Sequence, residues 1–215
     1  MAVIACDHGE EAVLTRAMAG ANRTLFVQMR FTGPVGQADD IAKQISAAGG
    51  QPVQPAAGIG IIGFGEVGRI FSAGFKPGAA WSGAWDLKFA DPAQRDEPLA
   101  HAAAQGIEAC DGVASLCARS TLLISAVTAS YTLAVAQAAA AHIRPGSFFL
   151  DLNSASPGTK QRAAALIEAA GGFYVEAGVM TSVPPYGIRV PMLLGGPHAA
   201  RLQPVLAALG MDAKV

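Results

Sequence analysis

Three glycines with G-x-G-x-x-G spacing, Gly63, Gly65 and Gly68, directly follow an apolar run that begins at Gly58. The first glycine permits a tight turn after a strand, the second lets the backbone approach a phosphate, and the third lets a helix pack closely on the strand. The start of that helix directs free N–H groups and the positive end of its dipole at an anion. The spacing therefore predicts a site for a nucleotide pyrophosphate. We expect the intervening residues Phe64, Glu66 and Val67 to contact the cofactor as well.

A second predicted strand, 83–86, ends in an acidic residue, Asp86. The acid stands about 20 residues beyond the glycines, where a carboxylate binds the ribose hydroxyls of an adenosine. Lys88 offers a cation to a 2′-phosphate, whereas Asp86 repels one. These two residues leave NAD and NADP open as cofactors and favour NAD. A solvated acid at a strand end is the structural alternative for Asp86.

From Gly58 onward, apolar strands alternate with helices, which is typical of a doubly wound sheet. Because the strands are apolar throughout, we expect helices on both of their faces. The sequence thus predicts an α/β, Rossmann-like, mostly parallel sheet. The predicted strands are 59–62, 83–86, 107–109, 122–127, 148–152, 174–179 and 192–194, and the predicted helices are 66–75, 98–105, 113–119, 131–142, 157–170 and 198–209.

The first 50 residues carry a separate pattern and predict an αβ extension of unknown role. Its expected strands are 2–5 and 24–31, and its expected helices are 10–19 and 37–48. Residues 51–57 contain two prolines and cannot continue a helix, so they predict a linker. The cofactor domain is then expected to span 58–215.

Composition excludes several classes of function. Fifteen Lys and Arg oppose 16 Asp and Glu, giving a net charge of −1, and no basic run indicates a nucleic acid partner. The apolar content is 52%, but the longest apolar region, 122–141, is interrupted by polar residues and does not predict a membrane span. The start of the chain lacks the features of a secretion signal, which predicts a cytoplasmic protein. Three cysteines without C-x-x-C spacing predict no metal site.

Ligands of a doubly wound sheet bind at the carboxyl ends of the strands, so the loops there are candidates for function. Val127 and Thr128 follow the fourth predicted strand of the cofactor domain and are expected beside the ribose or nicotinamide. Asn153 and Ser154 follow the fifth. Ser156 precedes a proline and is explained equally well as the N-cap of a helix.

Six motifs in order resemble the β-hydroxyacid dehydrogenase superfamily, most closely its 6-phosphogluconate dehydrogenase-like branch. They are GFGEVG, WDLKF, SAVTA, DLNSASPGTK, VMTSVPPYG and VPMLLGGPH. The resemblance implies hydride transfer between NAD or NADP and a small β-hydroxyacid. The superfamily's Asp-x-Ser-Thr-x-x-Pro motif falls on Asp151 to Pro157, so the resemblance gives Asn153 and Ser154 the role of holding the substrate. Residues 1–56 have no counterpart in it.

The sequence departs from the superfamily at two places. Met180 to Ser182 stand where its better-known members carry a Ser-Gly-Gly clamp, so the substrate is not carried over. The superfamily's catalytic lysine follows the next strand, in which this sequence ends, and Lys214 lies too early to replace it. We therefore expect a cofactor domain with at most trace turnover, self-associating through an open apolar face as a homo-oligomer. The alternatives are a non-catalytic dinucleotide-binding module, a truncated relic and, disfavoured by the motifs, a methyltransferase.

Overall fold

A computed structural model describes the backbone of residues 11–20 and 23–32 and all atoms of 58–75 and 80–215. The chain divides into two compact units, Met1–Pro55 and Ala56–Val215. Of the helices that the structure describes, none is long and apolar enough to cross a membrane.

The first unit contains an antiparallel pair of strands, β1 (Glu11–Gly20) and β2 (Arg23–Thr32). The strand expected at 24–31 corresponds to β2, but the helix expected at 10–19 is wrong. Helix propensity, even that of an alanine-rich segment, is overridden by contacts outside the segment, and here the full-length pairing of β1 with β2 outweighs it. The strand expected at 2–5 and the helix expected at 37–48 lie outside the described residues.

The second unit is built on an eight-stranded sheet, whose strands are β3 (Ile59–Ile62), β4 (Ser82–Trp85), β5 (Glu108–Ala109), β6 (Leu122–Ser125), β7 (Phe148–Asp151), β8 (Phe173–Val179), β9 (Met192–Gly195) and β10 (Ala213–Lys214). Their order across the sheet is β10-β9-β8-β7-β6-β3-β4-β5. All neighbouring strands are parallel except β8 and β9, which are antiparallel. The mostly parallel, doubly wound sheet expected from the sequence is confirmed.

Helices pack on both faces of this sheet and close two apolar cores, one around Ile61 and Phe71 and one around Leu123 and Phe149. The short helix Leu87–Ala90 was not predicted from the sequence. The helices are α1 (Glu66–Gly74), α2 (Leu87–Ala90), α3 (Asp96–Gln105), α4 (Val113–Arg119), α5 (Thr132–Ala140), α6 (Pro157–Ala169) and α7 (Ala199–Ala208), with 3-10 turns at Ala129–Tyr131 and Gly187–Arg189.

One part of the sheet departs from the expected burial on both faces. Along β8 and β9, buried residues alternate with exposed ones, and Glu176, Gly178 and Leu193 lie on the exposed side. Met180, just after β8, is also exposed. Helix α7 covers the other side of these strands. The expectation was wrong here because an apolar run does not reveal whether a second layer of helices reaches the strand.

Helix α6 begins just after Ser156, as expected if this serine is the N-cap of the helix. The Ser156 Oγ accepts a hydrogen bond from the Thr159 N–H at 3.3 Å, and Pro157 occupies the first turn. This is an N-cap, which satisfies one of the free N–H groups at the start of the helix. Ser156 therefore has a structural explanation, whereas the exposed Ser154 makes no such cap.

Candidate functional site

The three motif glycines meet different steric demands at the turn between β3 and α1. Gly63 has a φ of +95°, and a Cβ built on it would lie 2.4 Å from the Ala126 carbonyl oxygen. A Cβ on Gly68 would lie 2.0 Å from the Gly63 carbonyl oxygen. A Cβ on Gly65 would have no heavy atom of the described residues within 4 Å. The fold thus requires Gly63 and Gly68, while Gly65 leaves open space above the turn.

Helix α1 presents its N-terminus to that open space. Gly65 is its N-cap residue, and none of the described side chains makes a capping hydrogen bond there. The N–H groups of the first turn and the positive end of the helix dipole are therefore available to an anion. The Glu66 side chain is exposed, whereas Val67 packs against the core.

Asp86 connects the end of β4 to the glycine turn. Its Oδ2 accepts a hydrogen bond from the Phe64 N–H at 2.7 Å, and its Oδ1 accepts one from the Lys88 N–H at 2.9 Å. The second bond makes Asp86 the N-cap of α2. A carboxylate has about four lone-pair positions, so about two remain for a ligand hydroxyl. The Lys88 side chain is exposed beside it.

Arg69 holds the glycine turn from the other side and was not identified from the sequence. Its Nε donates to the Phe64 carbonyl oxygen at 3.1 Å, and its two terminal nitrogens donate to the Glu97 carboxylate at 2.6 Å each. The hydrogen bond to Glu97 raises the pKa of Arg69, so the guanidinium stays charged. In the sequence, the position of Arg69 directly after Gly68 was the indication that its side chain lies near the glycine turn. Phe64 is thus held at its N–H by Asp86 and at its carbonyl by Arg69.

A cleft of about 480 Å³ lies over the turn and extends between α2 and α5. Leu87 and Tyr131 are exposed apolar side chains on its two sides, with 57% and 51% of their surface exposed. The residues that line it are Gly63, Gly65, Trp85, Asp86, Leu87, Lys88, Ala126, Val127, Thr128, Tyr131, Ala134, Val135 and Ala138. The structure therefore brings predicted residues from three separate loops into one cleft.

Sequence reasoning missed the apolar walls of the cleft. Tyr131, Ala134, Val135 and Ala138 recur at the spacing that places residues on one face of a helix. That spacing was visible in the sequence and could have identified the wall. Trp85 gave no such signal, because a residue of a buried strand is normally explained by the core.

The Asn153 side chain does not belong to the residues that line this cleft. Its Oδ1 accepts a hydrogen bond from the Val127 N–H at 2.7 Å, and its Nδ2 donates to the Ser125 Oγ at 2.9 Å. Asn153 is buried, and both of these hydrogen bonds are made within the protein. Ser154, the other residue predicted to hold the substrate, is exposed.

The comparisons with known proteins agree with this geometry. The family model that describes the NAD binding domain of 6-phosphogluconate dehydrogenase matches residues 58–215. A search of curated proteins found no match.

Solved structures share the fold. A conserved hypothetical protein from Sinorhizobium meliloti 1021 is 40% identical, with a TM-score of 0.70, over 74% of this chain and 54% of that one. A reductive aminase from Aspergillus terreus, in complex with NADPH4, cyclohexanone and allyl amine, is 25% identical, with a TM-score of 0.59, over 74% and 54%. A 3-hydroxyisobutyrate dehydrogenase from Mycobacterium tuberculosis is 21% identical, with a TM-score of 0.62, over 74% and 53%.

The chain spans about half the length of these solved structures. The last of them, at its low identity, supports the fold alone. The family model, in contrast, covers most of the chain and includes the glycine turn, Asp86 and the loops around the cleft. The chain therefore belongs to the family of the NAD binding domain of 6-phosphogluconate dehydrogenase.

Proposed function

We propose that residues 58–215 bind NAD or NADP in the cleft and serve as the cofactor domain of an oxidoreductase that acts on a small β-hydroxyacid. The observation that carries this proposal is the open space over Gly65, at the uncapped start of α1. A side chain at that position would fill the volume that a pyrophosphate needs. The residues present thus fit a dinucleotide.

The proposed placement follows the cleft from the turn outward. The pyrophosphate lies over Gly65, and the adenosine ribose binds the free lone pairs of Asp86. The adenine packs between the apolar side chains of Leu87 and Tyr131. The nicotinamide end extends along Val127 and Thr128.

A bound nicotinamide supplies or accepts the hydride in this chemistry. The described residues hold the dinucleotide in one orientation, because Asp86 and Arg69 both fix the turn at Phe64. Ser154 is proposed to contact the substrate. The titratable residues that line the cleft are Asp86, Lys88 and Tyr131, which lie on the proposed adenosine side. For that reason we assign no catalytic acid or base.

The second candidate is a dinucleotide-binding module without turnover, since the titratable residues among those described as lining the cleft all lie on the proposed adenosine side. A turnover assay distinguishes the oxidoreductase from the non-catalytic module. An assay panel of small β-hydroxyacids with NAD and NADP is expected to give hydride transfer at the trace rate of a cofactor domain if the first proposal holds, and none if the second holds. Ketones with amines belong in the same panel, since a reductive aminase is among the similar structures.

We propose further that NAD is preferred over NADP and that the protein is a cytoplasmic homo-oligomer with a small-molecule substrate and without a nucleic acid partner. The exposed Met180 and Leu193 along β8 and β9 support self-association, since exposed apolar surface promotes association. The nearly balanced charge of the chain supports the exclusion of nucleic acid. Light scattering after size-exclusion chromatography measures the oligomeric state.

Fluorescence titration with NADH and NADPH tests the cofactor proposal directly. The chain has two tryptophans, and of these Trp85 lines the cleft whereas Trp81 does not. Bound oxidised NAD, which does not accept energy from tryptophan, is expected to quench Trp85 by direct contact, so Trp85→Phe should lose most of this ligand-dependent signal. Trp81→Phe is the matched control and should keep it. Equal losses in both variants would contradict binding in this cleft.

We expect Asp86→Ser to weaken NADH binding by about tenfold and NADPH binding by less, so that the preference moves toward NADPH. The variant loses a charged acceptor for the ribose hydroxyl, a contact worth about 1.5 to 3 kcal/mol, and it also removes repulsion of a 2′-phosphate. The measurement is the ratio of the NADH and NADPH dissociation constants. Damage to the turn at Phe64 would weaken both cofactors equally and would leave this ratio unchanged.

Lys88→Met provides the opposite control for cofactor preference. Loss of the Lys88 cation should weaken NADPH and leave NADH unchanged. An NADH to NADPH ratio unchanged by Asp86→Ser would mean that the carboxylate serves only the Phe64 and Lys88 amides that it binds in the structure.

A further inference from the structure

A buried polar network lies beneath the carboxyl end of β7. Asp151 is fully buried, and its Oδ2 accepts a hydrogen bond from the Tyr174 hydroxyl at 2.5 Å. The Lys160 Nζ lies 3.8 Å from the same Oδ2 and 3.4 Å from the Glu176 Oε1. Lys160 is itself only 6% exposed. Burial, together with the bond to Asp151, raises the pKa of Tyr174, so its hydroxyl remains a donor.

This network fixes Asn153. The other oxygen of the Asp151 carboxylate, Oδ1, accepts a hydrogen bond from the Asn153 N–H at 2.8 Å. A carboxylate acceptor makes a backbone hydrogen bond stronger than a neutral one does. The cation of Lys160 keeps Asp151 from being a buried charge without a partner. The backbone of Asn153 is therefore held in place independently of the contacts that its side chain makes.

The side chain of Asn153 in turn restrains the loop after β6 by two hydrogen bonds. Its Oδ1 accepts from the Val127 N–H, and its Nδ2 donates to the Oγ of the fully buried Ser125. Strand β6 ends at Ser125, so the Val127 N–H lies beyond the regular ladder of the sheet. Without Asn153, this amide would lose the acceptor that it has in the structure.

The Val127 loop in turn packs against the glycine turn. A Cβ built on Gly63 would lie 2.8 Å from Val127 Cγ1, so the two segments are in close contact. The neighbouring Ala126 N–H donates to the Ile62 carbonyl oxygen at 2.8 Å. Displacement of Val127 therefore alters the wall of the cleft beside the turn.

We infer that Asn153 is a positioning residue that fixes Val127, and with it the nicotinamide end of the dinucleotide cleft, through its amide and the Asp151–Lys160 pair behind it. The ligand in this inference rests on the proposed function, whereas the restraint on Val127 rests on the hydrogen bonds alone. The substrate contact that the family resemblance gives to Asn153 stays a prediction beside this role.

Backbone amide hydrogen exchange and ligand binding test the inference together. In Asn153→Ala, exchange at Val127 is expected to accelerate by about tenfold, the scale of one lost hydrogen bond. NADH should bind about tenfold more weakly, while ADP, which lacks the nicotinamide riboside, should bind within twofold of wild type. Ser115→Ala removes an exposed hydroxyl on α4 that does not line the cleft, and it should leave all three values unchanged.

Equal weakening of NADH and ADP would indicate general structural damage and overturn the positioning role. Unchanged exchange at Val127 would overturn it as well. If the wild-type protein binds neither ligand, the proposed function fails, and the exchange rate at Val127 in the two proteins still decides the inference. If Asn153→Ala does not fold, wild-type exchange decides it: slow exchange at Val127 relative to Thr128 supports the restraint, and equally fast exchange overturns it.

Discussion

Gly65→Val is expected to weaken dinucleotide binding by at least about 100-fold while the fold is retained. The new side chain would occupy the space over the turn where the pyrophosphate is proposed to lie, and exclusion of a central group on this scale costs about 2.7 kcal/mol or more. The free protein tolerates the change, because a Cβ at Gly65 meets no heavy atom of the described residues within 4 Å. Its φ of −78° is also accessible to valine.

Gly112→Val is the matched control for this substitution. Gly112 is the N-cap residue of α4, and a Cβ there likewise meets no described heavy atom within 4 Å. Gly112 does not line the cleft. Both variants should lose at most about 1 kcal/mol of stability from a poorer N-cap, and only Gly65→Val should lose NADH binding. Retained binding in Gly65→Val, within a few-fold of wild type, would refute the assignment of the phosphate turn.

The glycine turn could be predicted from the sequence because its requirements are local. A positive φ at Gly63 and a close approach at Gly68 each need a residue without a Cβ, so residue type and spacing carry the information. Asp86 was placed correctly at the end of β4 for the same reason. Its hydrogen bonds to Phe64 and Lys88 were not predictable, because they depend on the direction of the side chain.

Asn153 shows the limit of motif spacing. Its position after β7 was correct, but a motif does not show whether an amide faces a ligand or the next strand. The network behind it joins Asp151, Lys160 and Tyr174, which lie on different elements and meet only in the folded sheet. The helix expected at 10–19 failed for a related reason, since pairing with β2 is not encoded within the segment itself.

Gly68→Ala is expected to destabilise the protein by about 3 kcal/mol, with loss of folding as the extreme outcome. A Cβ at Gly68 would lie 2.0 Å from the Gly63 carbonyl oxygen, and a backbone atom cannot move aside as a flexible side chain can. Overpacking of this kind costs about 1 to 3 kcal/mol and sometimes more. It exceeds the gain of about 1 kcal/mol that alanine normally brings over glycine inside a helix.

Gly158→Ala tests whether the steric contact, and not the change of residue type, is responsible. Gly158 also lies in the first turn of a helix, α6, but a Cβ there meets no described heavy atom within 4 Å. This variant should therefore be as stable as wild type or up to about 1 kcal/mol more stable. Urea unfolding measures both values from the shift in midpoint at constant slope. If the two variants changed stability in the same direction, α1 would not pack against the turn after β3 as closely as the structure shows. The geometry that leaves open space over Gly65 would then be wrong as well.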